Sequence, residues 1–193
     1  MADPTISRRA LLGAGAATIA GVALLRSPSA AAPSGFRVSH SPAEWKRLLG
    51  PQRYAVLRQA STERPFSSPL LKEHRRGTFV CAGCALPLFS SATKFDSGTG
   101  WPSFWQVLPN AVVKRSDRSL MMERTEVLCA RCGGHLGHLF DDGPAPTGQR
   151  FCLNSAALRF VPVEKLKEEG YSEYLSLFQP QQQTGGEQSQ AKK

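Results

Sequence analysis

No apolar stretch in this chain of 193 residues is long enough to stand out as a membrane span. The longest, Leu11 to Leu25, holds fifteen residues rich in alanine and glycine, where a spanning helix needs roughly twenty. Acidic residues are scarce as well: 15 Asp and Glu stand against 24 Lys and Arg, a formal charge of +9. The basic excess is scattered and interleaved with carboxylates, so it builds no basic stripe and demands no nucleic-acid partner. Internal repeats are lacking apart from one short cysteine motif, which excludes a solenoid. A sixth cysteine is lacking too. Five thiols cannot all pair, so at least one is left for other chemistry.

Four of the five form two identical clips, Cys81-x-x-Cys84 and Cys129-x-x-Cys132, and the fifth, Cys152, stands apart in Gly-Gln-Arg-Phe-Cys-Leu-Asn-Ser. Two such clips on separate turns supply four sulfurs at tetrahedral corners, a closed site that suits one structural zinc ion. Gly83, Gly133 and Gly134 beside them allow tight turns that bring backbone amides toward sulfur. Disulfides are the alternative in an exported protein, and a ligand set borrowing His135 and His138 is a weaker one.

Residues 1–32 read as an address. Ser7-Arg8-Arg9-Ala10-Leu11-Leu12 puts twin arginines ahead of a moderately hydrophobic stretch, and small residues at 29–32 offer cleavage, best after Ala31 because Pro33 follows Ala32. A twin-arginine export signal is expected, with an uncleaved anchor as the alternative. That route carries folded proteins, which fits a metal loaded before export, and places the mature chain in a periplasm or other extracytoplasmic space. Losing residues 1–32 removes three arginines and one aspartate and lowers the charge to +7.

The remaining length suits one domain, residues 33–178, with a glutamine-rich and disordered polar tail at 179–193. Ser41-Pro42-Ala43-Glu44 carries a capping serine, a first-turn proline and a glutamate three after the cap. A short helix therefore runs to Leu49 and stops at Gly50, a second spans Gln52 to Gln59, and Pro65 to Arg76 wraps irregularly over the surface. From Gly77 to Phe160 short strands are expected at Gly77–Cys81, Ala111–Lys114, Glu126–Cys129, Phe151–Leu153 and Ala157–Phe160. The fold class is mainly β, antiparallel and zinc-clipped, with a short terminal helix over Val163–Gly170. Nothing resembles an obligate interface, so a monomer is expected.

Around the lone thiol, Arg150 lies two residues before Cys152 and Asn154 two after. In an extended segment all three share one face and put a cation and an amide beside the sulfur, while Phe151 and Leu153 face the core. An inert buried cysteine is the plain alternative. His135 and His138 sit with Asp141 and Asp142 in what reads as an irregular, glycine-laced loop, and serve one site only if Gly137 permits a bend. Trp101 follows two glycines on an expected exposed turn, Phe95-Asp96-Ser97-Gly98-Thr99-Gly100, whereas Phe104 or Trp105 suits a core.

The segments CAGCALPLF, FDSGTGWPSFW, LCARCGGHLGHLFDDGPAPTGQRFCLNSAALRF and EEGYSEYLSLF together resemble the B-type methionine sulfoxide reductases, over about Ser41 to Phe178. The resemblance implies two small antiparallel sheets, a zinc remote from the active site, and Cys152 as nucleophile toward the R epimer of methionine sulfoxide. It implies Trp101 as the wall for the substrate methyl, with Phe151 as a second substrate contact. His135, His138 and Asn154 would orient and protonate the sulfoxide oxygen, and Asp142 and Arg150 would hold that network and polarise the thiol. The products are methionine and a Cys152 sulfenic acid.

One departure matters. Where many relatives carry a resolving cysteine, this chain has Thr99, so a one-cysteine cycle is expected in which an external, thioredoxin-like thiol reduces the sulfenic acid. The implied partners are oxidised proteins or peptides, that reductant and the twin-arginine translocation machinery. Two other classes compete: a zinc-clip binding module and a thiol sensor without turnover.

Overall fold

The computed structural model describes residues 35–118 and 122–179. The expected export signal and nearly all of the expected tail lie outside the described residues. As anticipated, the architecture is mainly β, in two antiparallel sheets. The smaller sheet orders β1 (Gly77–Cys81) between β2 (Pro87–Ser90) and β9 (Leu158–Pro162). The larger has six strands in the order β3 (Lys94–Phe95), β4 (Ser103–Phe104), β8 (Arg150–Leu153), β7 (His135–Phe140), β6 (Arg124–Cys129) and β5 (Val112–Asp117).

The helix α1 (Pro42–Gln59) begins with the capping box read from the sequence: Ser41 Oγ accepts from the Glu44 amide at 3.3 Å and Glu44 Oε2 accepts from the Ser41 amide at 3.1 Å. Its two halves meet at a kink at Gly50, whose φ of 69° no helical residue adopts, so the expected stop and restart are real but the halves form one bent element. At the other end the expected helix over Val163–Gly170 is a 3-10 segment, Val163–Lys165, running into hydrogen-bonded turn at 166–170, and a further 3-10 segment, Ser172–Phe178, follows it. Leu166 and Phe178 pack on Val80 and Val161, and the chain turns between the two segments at Gly170, whose φ of 82° lies in the left-handed region.

Between the sheets lies an aromatic core. Phe79 and Phe89 from the small sheet meet Phe104 and Phe151 from the large one, all at most 1% exposed, with ring centroids 4.6–5.6 Å apart. Each such side chain contributes about 1.5–3 kcal/mol by burial. The aromatic turn therefore does divide as its alternatives allowed, Phe104 going inward.

The segment read as an irregular histidine loop is in fact β7, the strand between β8 and β6. A bulge where it passes Val127 and Leu128 hides the two-residue period that would have marked it. Gly137 is what lets β7 and β8 approach: a Cβ there would overlap the Cys152 carbonyl oxygen and meet Leu153 Cα at 2.9 Å. Gly137→Ala should destabilise the domain by about 1–3 kcal/mol, read as a fall in the thermal midpoint of about 2–4 °C per kcal/mol. A midpoint equal to wild type would show that the two strands can part freely.

Candidate active site and sulfur cluster

Cys81 ends β1 and Cys129 ends β6, so the turns after them carry Cys84 and Cys132. All four Sγ atoms lie within 4.8 Å of one another, with Cys81 to Cys132 at 3.8 Å and Cys84 to Cys129 at 3.5 Å. Tetrahedral thiolates about 2.3 Å from a zinc ion would sit roughly 3.8 Å apart, and a disulfide would need about 2.05 Å. The donor set thus fits a four-coordinate metal. Cys129, Cys132 and Cys84 hold the Cys81 thiol well above its ordinary pKa, because crowded sulfurs resist a second negative charge until a cation joins them. The Gly83 amide donates to Cys81 Sγ at 3.4 Å, the contact that the neighbouring glycine suggested.

Cys152 lies elsewhere, on β8. The expected alternation holds there: Phe151 and Leu153 are buried in the core, while Arg150, Cys152 and Asn154 turn to the other face. Cys152 borders a cavity of about 140 Å³ with Trp101, His138, Asn154, Phe140, Arg124 and Thr62. A larger groove of about 660 Å³ adjoins it over β5 to β7 and shares Arg124 and Phe140, but no cysteine is among its described lining residues. Phe151, expected to touch substrate, does not reach the cavity. Its ring packs on Phe89 in the core, because its neighbour Cys152 takes the outward position in a strand of period two.

His138 is the cross-strand neighbour of Cys152, and its Nε2 lies 2.9 Å from Asp117 Oδ2, which also accepts from Arg124 at 2.7 Å. His135 is only 4% exposed. Its Nδ1 is 2.7 Å from Glu126 Oε1, and Arg115 donates to the same carboxylate at 2.9 Å. The bulge brings the two imidazoles edge to face 5.4 Å apart, as a shared site requires, yet only His138 lines the cavity. The Nε2 of His135 is buried with no hydrogen-bond partner among the described residues. Burial holds the His135 ring below its ordinary pKa, against the pull of Glu126, so the imidazole is neutral near pH 7.

Arg150 grips Asp142 through two bonds of 2.8 and 2.9 Å and stacks over Phe140 at 4.4 Å. Its hydrogen bonds hold the Asp142 carboxyl below the usual range. Burial pushes the Cys152 thiol up, while the Thr99 hydroxyl, 3.9 Å from Sγ, and the Arg150 charge pull it back.

Sequence reasoning missed Glu63, in the segment after α1. Its amide donates to Asn154 Oδ1 at 3.0 Å, its carbonyl accepts from the Trp101 indole at 3.1 Å, and its carboxylate accepts from the Ser155 and Ala156 amides. One residue thus pins two walls of the cavity. Asp117, Arg124 and Thr62 were missed as well. Each sits far from the cysteine segment in sequence and carries no local motif, so only the folded sheet reveals it.

Comparison with known proteins places this arrangement. The SelR domain matches residues 49–162, which include all nine strands of the described residues. Over 126 residues the chain is 54% identical to the peptide methionine sulfoxide reductase MsrB of Leptospira interrogans, covering 65% of this chain and 96% of that protein. The protein of the same name from Methanosarcina barkeri is 54% identical over 132 residues, 68% of this chain and 93% of that one. That from Bradyrhizobium diazoefficiens is 57% identical over 127 residues, 65% and 91% of the two chains. A match of this extent, carrying both cysteine clips and the Cys152 strand, means that the chain belongs to the B-type methionine sulfoxide reductase family.

Proposed function

We propose that this protein reduces the R epimer of methionine sulfoxide in proteins and peptides to methionine, with Cys152 as the nucleophile. The observation that carries the reading is a single thiol set in a small cavity with Trp101, His138 and Asn154, while the other four thiols are gathered where they cannot line it. The Cys152 thiolate attacks the sulfoxide sulfur, the oxygen passes to Cys152, and one proton is taken up. Methionine leaves two electrons richer, and cysteine becomes a sulfenic acid. One external thiol then forms a mixed disulfide with release of water, and a second thiol returns Cys152 to its reduced form as an external disulfide departs.

His138, oriented by Asp117, stands on the cavity wall as the proton donor to the sulfoxide oxygen, help worth about 10²–10⁴-fold in rate. His135 braces that ring through their edge contact and is itself fixed by Glu126. Asn154 spends one N–H on the Leu136 carbonyl, which leaves the other for the sulfoxide oxygen. Trp101, tied by its indole nitrogen, keeps its apolar face for the substrate methyl.

At the sulfur cluster, Cys81, Cys84, Cys129 and Cys132 would hold one zinc ion, which supplies a structural cross-link between the ends of β1 and β6. The twin arginines at Arg8 and Arg9 favour export of the folded protein by the twin-arginine route, repair of oxidised exported proteins, and reduction by a thioredoxin-like thiol.

Methionine release from each separated sulfoxide epimer tests the reading. Wild type should act on the R epimer alone and Cys152→Ser on neither; equal turnover of both epimers, or activity retained without the Cys152 sulfur, would sink it. Elemental analysis should find about one zinc per chain in wild type and almost none in Cys81→Ser, with loss of cooperative unfolding, since a structural zinc contributes on the order of 10 kcal/mol. A zinc-free wild type that still melts cooperatively would remove the metal from the account. Thr99→Cys, treated with methionine sulfoxide, should close a disulfide to Cys152 that mass spectrometry detects. Failure to form one would mean that the turn cannot bring the two sulfurs together.

A further inference from the structure

The turn between β3 and β4 folds over the nucleophile. Asp96 Oδ1 accepts from the Gly98 amide at 2.9 Å, and Gly100, at φ 93°, gives its carbonyl to the Phe66 amide at 2.8 Å. Inside the turn three hydroxyls lie in a row. Ser103 Oγ is 2.7 Å from Ser97 Oγ, Ser97 Oγ is 2.8 Å from Thr99 Oγ1, and Thr99 Oγ1 is 3.9 Å from Cys152 Sγ. The far end is fixed: Ser103 is fully buried, sits opposite Cys152 in the β4–β8 ladder, and lies 3.2 Å from the Trp101 carbonyl.

Each hydroxyl owns one proton and can accept another, so the row has two complete arrangements. With Cys152 as a thiol, S–H donates to Thr99, Thr99 to Ser97, Ser97 to Ser103, and Ser103 to the Trp101 carbonyl. With Cys152 as a thiolate, every hydroxyl turns round: Ser103 donates to Ser97, Ser97 to Thr99, and Thr99 to the sulfur. No donor is orphaned in either state, and the reversal rotates three O–H bonds without moving a proton along the row. A bond to an anion is shorter and stronger than its neutral counterpart, so the 3.9 Å contact has room to tighten when the charge appears.

We propose that Thr99 is a catalytic residue of this chain, the end of a reversible Ser103–Ser97–Thr99 hydroxyl relay that donates a hydrogen bond to Cys152 Sγ when the sulfur is anionic and accepts one from the thiol at rest. The proposal rests on Cys152 being the nucleophile of the proposed reaction. Where a resolving thiol would exchange electrons after attack, this hydroxyl prepares the sulfur before it. It also complements Arg150, whose fork is taken by Asp142 and whose help to the sulfur is mainly through its charge.

The other charges around Cys152 are each held by partners other than the Thr99 side chain. Arg150 shares its strand and is paired with Asp142; His138 faces it from β7, backed by Asp117 and Arg124. The Asp96 carboxylate is held by the Gly98 amide, and that of Glu63 by the Ser155 and Ala156 amides.

The test uses the metal-loaded full chain and follows iodoacetamide labelling of the Cys152 peptide by mass spectrometry from pH 6 to 10, with no sulfoxide present. Thr99→Val should displace the labelling profile toward alkaline pH by about one unit, slowing labelling near neutral pH about tenfold, the size of one hydrogen bond to a charged group. Ser97→Ala should move it the same way by less, and Thr99→Ser should restore the wild-type profile. In parallel, kcat/KM for a sulfoxide peptide near neutral pH should fall with Thr99→Val and recover with Thr99→Ser. A wild-type labelling profile in Thr99→Val, or a Thr99→Ser profile displaced as far as that of valine, overturns the relay. A displaced profile with unchanged kcat/KM overturns its part in catalysis. Ser97→Ala decides the matter alone if the valine variant does not fold. Because labelling needs no substrate, a wild type inactive on methionine sulfoxide would refute the proposed reaction through a separate readout.

Discussion

Strand β8 is gripped on both edges, by β4 and by β7, and its period of two sends Phe151 and Leu153 inward and Arg150, Cys152 and Asn154 outward. Nearly every feature of the site follows from that grip. Phe151 anchors the strand in the aromatic core, so Cys152 cannot roll away from the cavity without dragging a buried ring into water. Gly137 allows β7 close enough for His138 to stand beside the sulfur, and β4 brings Ser103 opposite it. A site on packed strands is held more tightly than one on free loops, which suits the proposed reaction, in which a sulfur, an oxygen and a proton donor would have to align at once.

The parts of the fold legible beforehand are those whose signal is local. The capping box at Ser41, the cysteine clips and the alternation around Cys152 each lie within a few consecutive residues, and each appears where it was read. Strand β7 was hidden because its histidines are three apart, a spacing that a plain strand would place on opposite faces. The bulge that reconciles them depends on β6 and has no local signature. Glu63 and Asp117 were hidden for the same reason at longer range: their partners lie 91 and 21 residues away in Asn154 and His138. Phe151 shows the opposite hazard, since the alternation already pointed it to the core while family likeness assigned it to substrate.

Burial of Cys152 sets the remaining tension. A half-buried thiol is shielded from casual oxidants, but the same desolvation disfavours its ionised form, which alone attacks well. The site counters this with one fixed charge, Arg150, and with hydroxyl dipoles at Thr99. Asp142 holds the guanidinium in position by two bonds, at the expense of placing a carboxylate within reach of the sulfur, where its charge works against the thiolate. The balance still favours the protonated thiol at rest, because desolvation is the largest influence on it. In the proposed reaction a substrate filling the 140 Å³ cavity would exclude water from these contacts, and in lower dielectric the Arg150 charge and the hydroxyl dipole would both act more strongly on the sulfur. Reactivity would then rise when an oxidised methionine is seated, so that the sulfur is spent on its substrate and not on solvent.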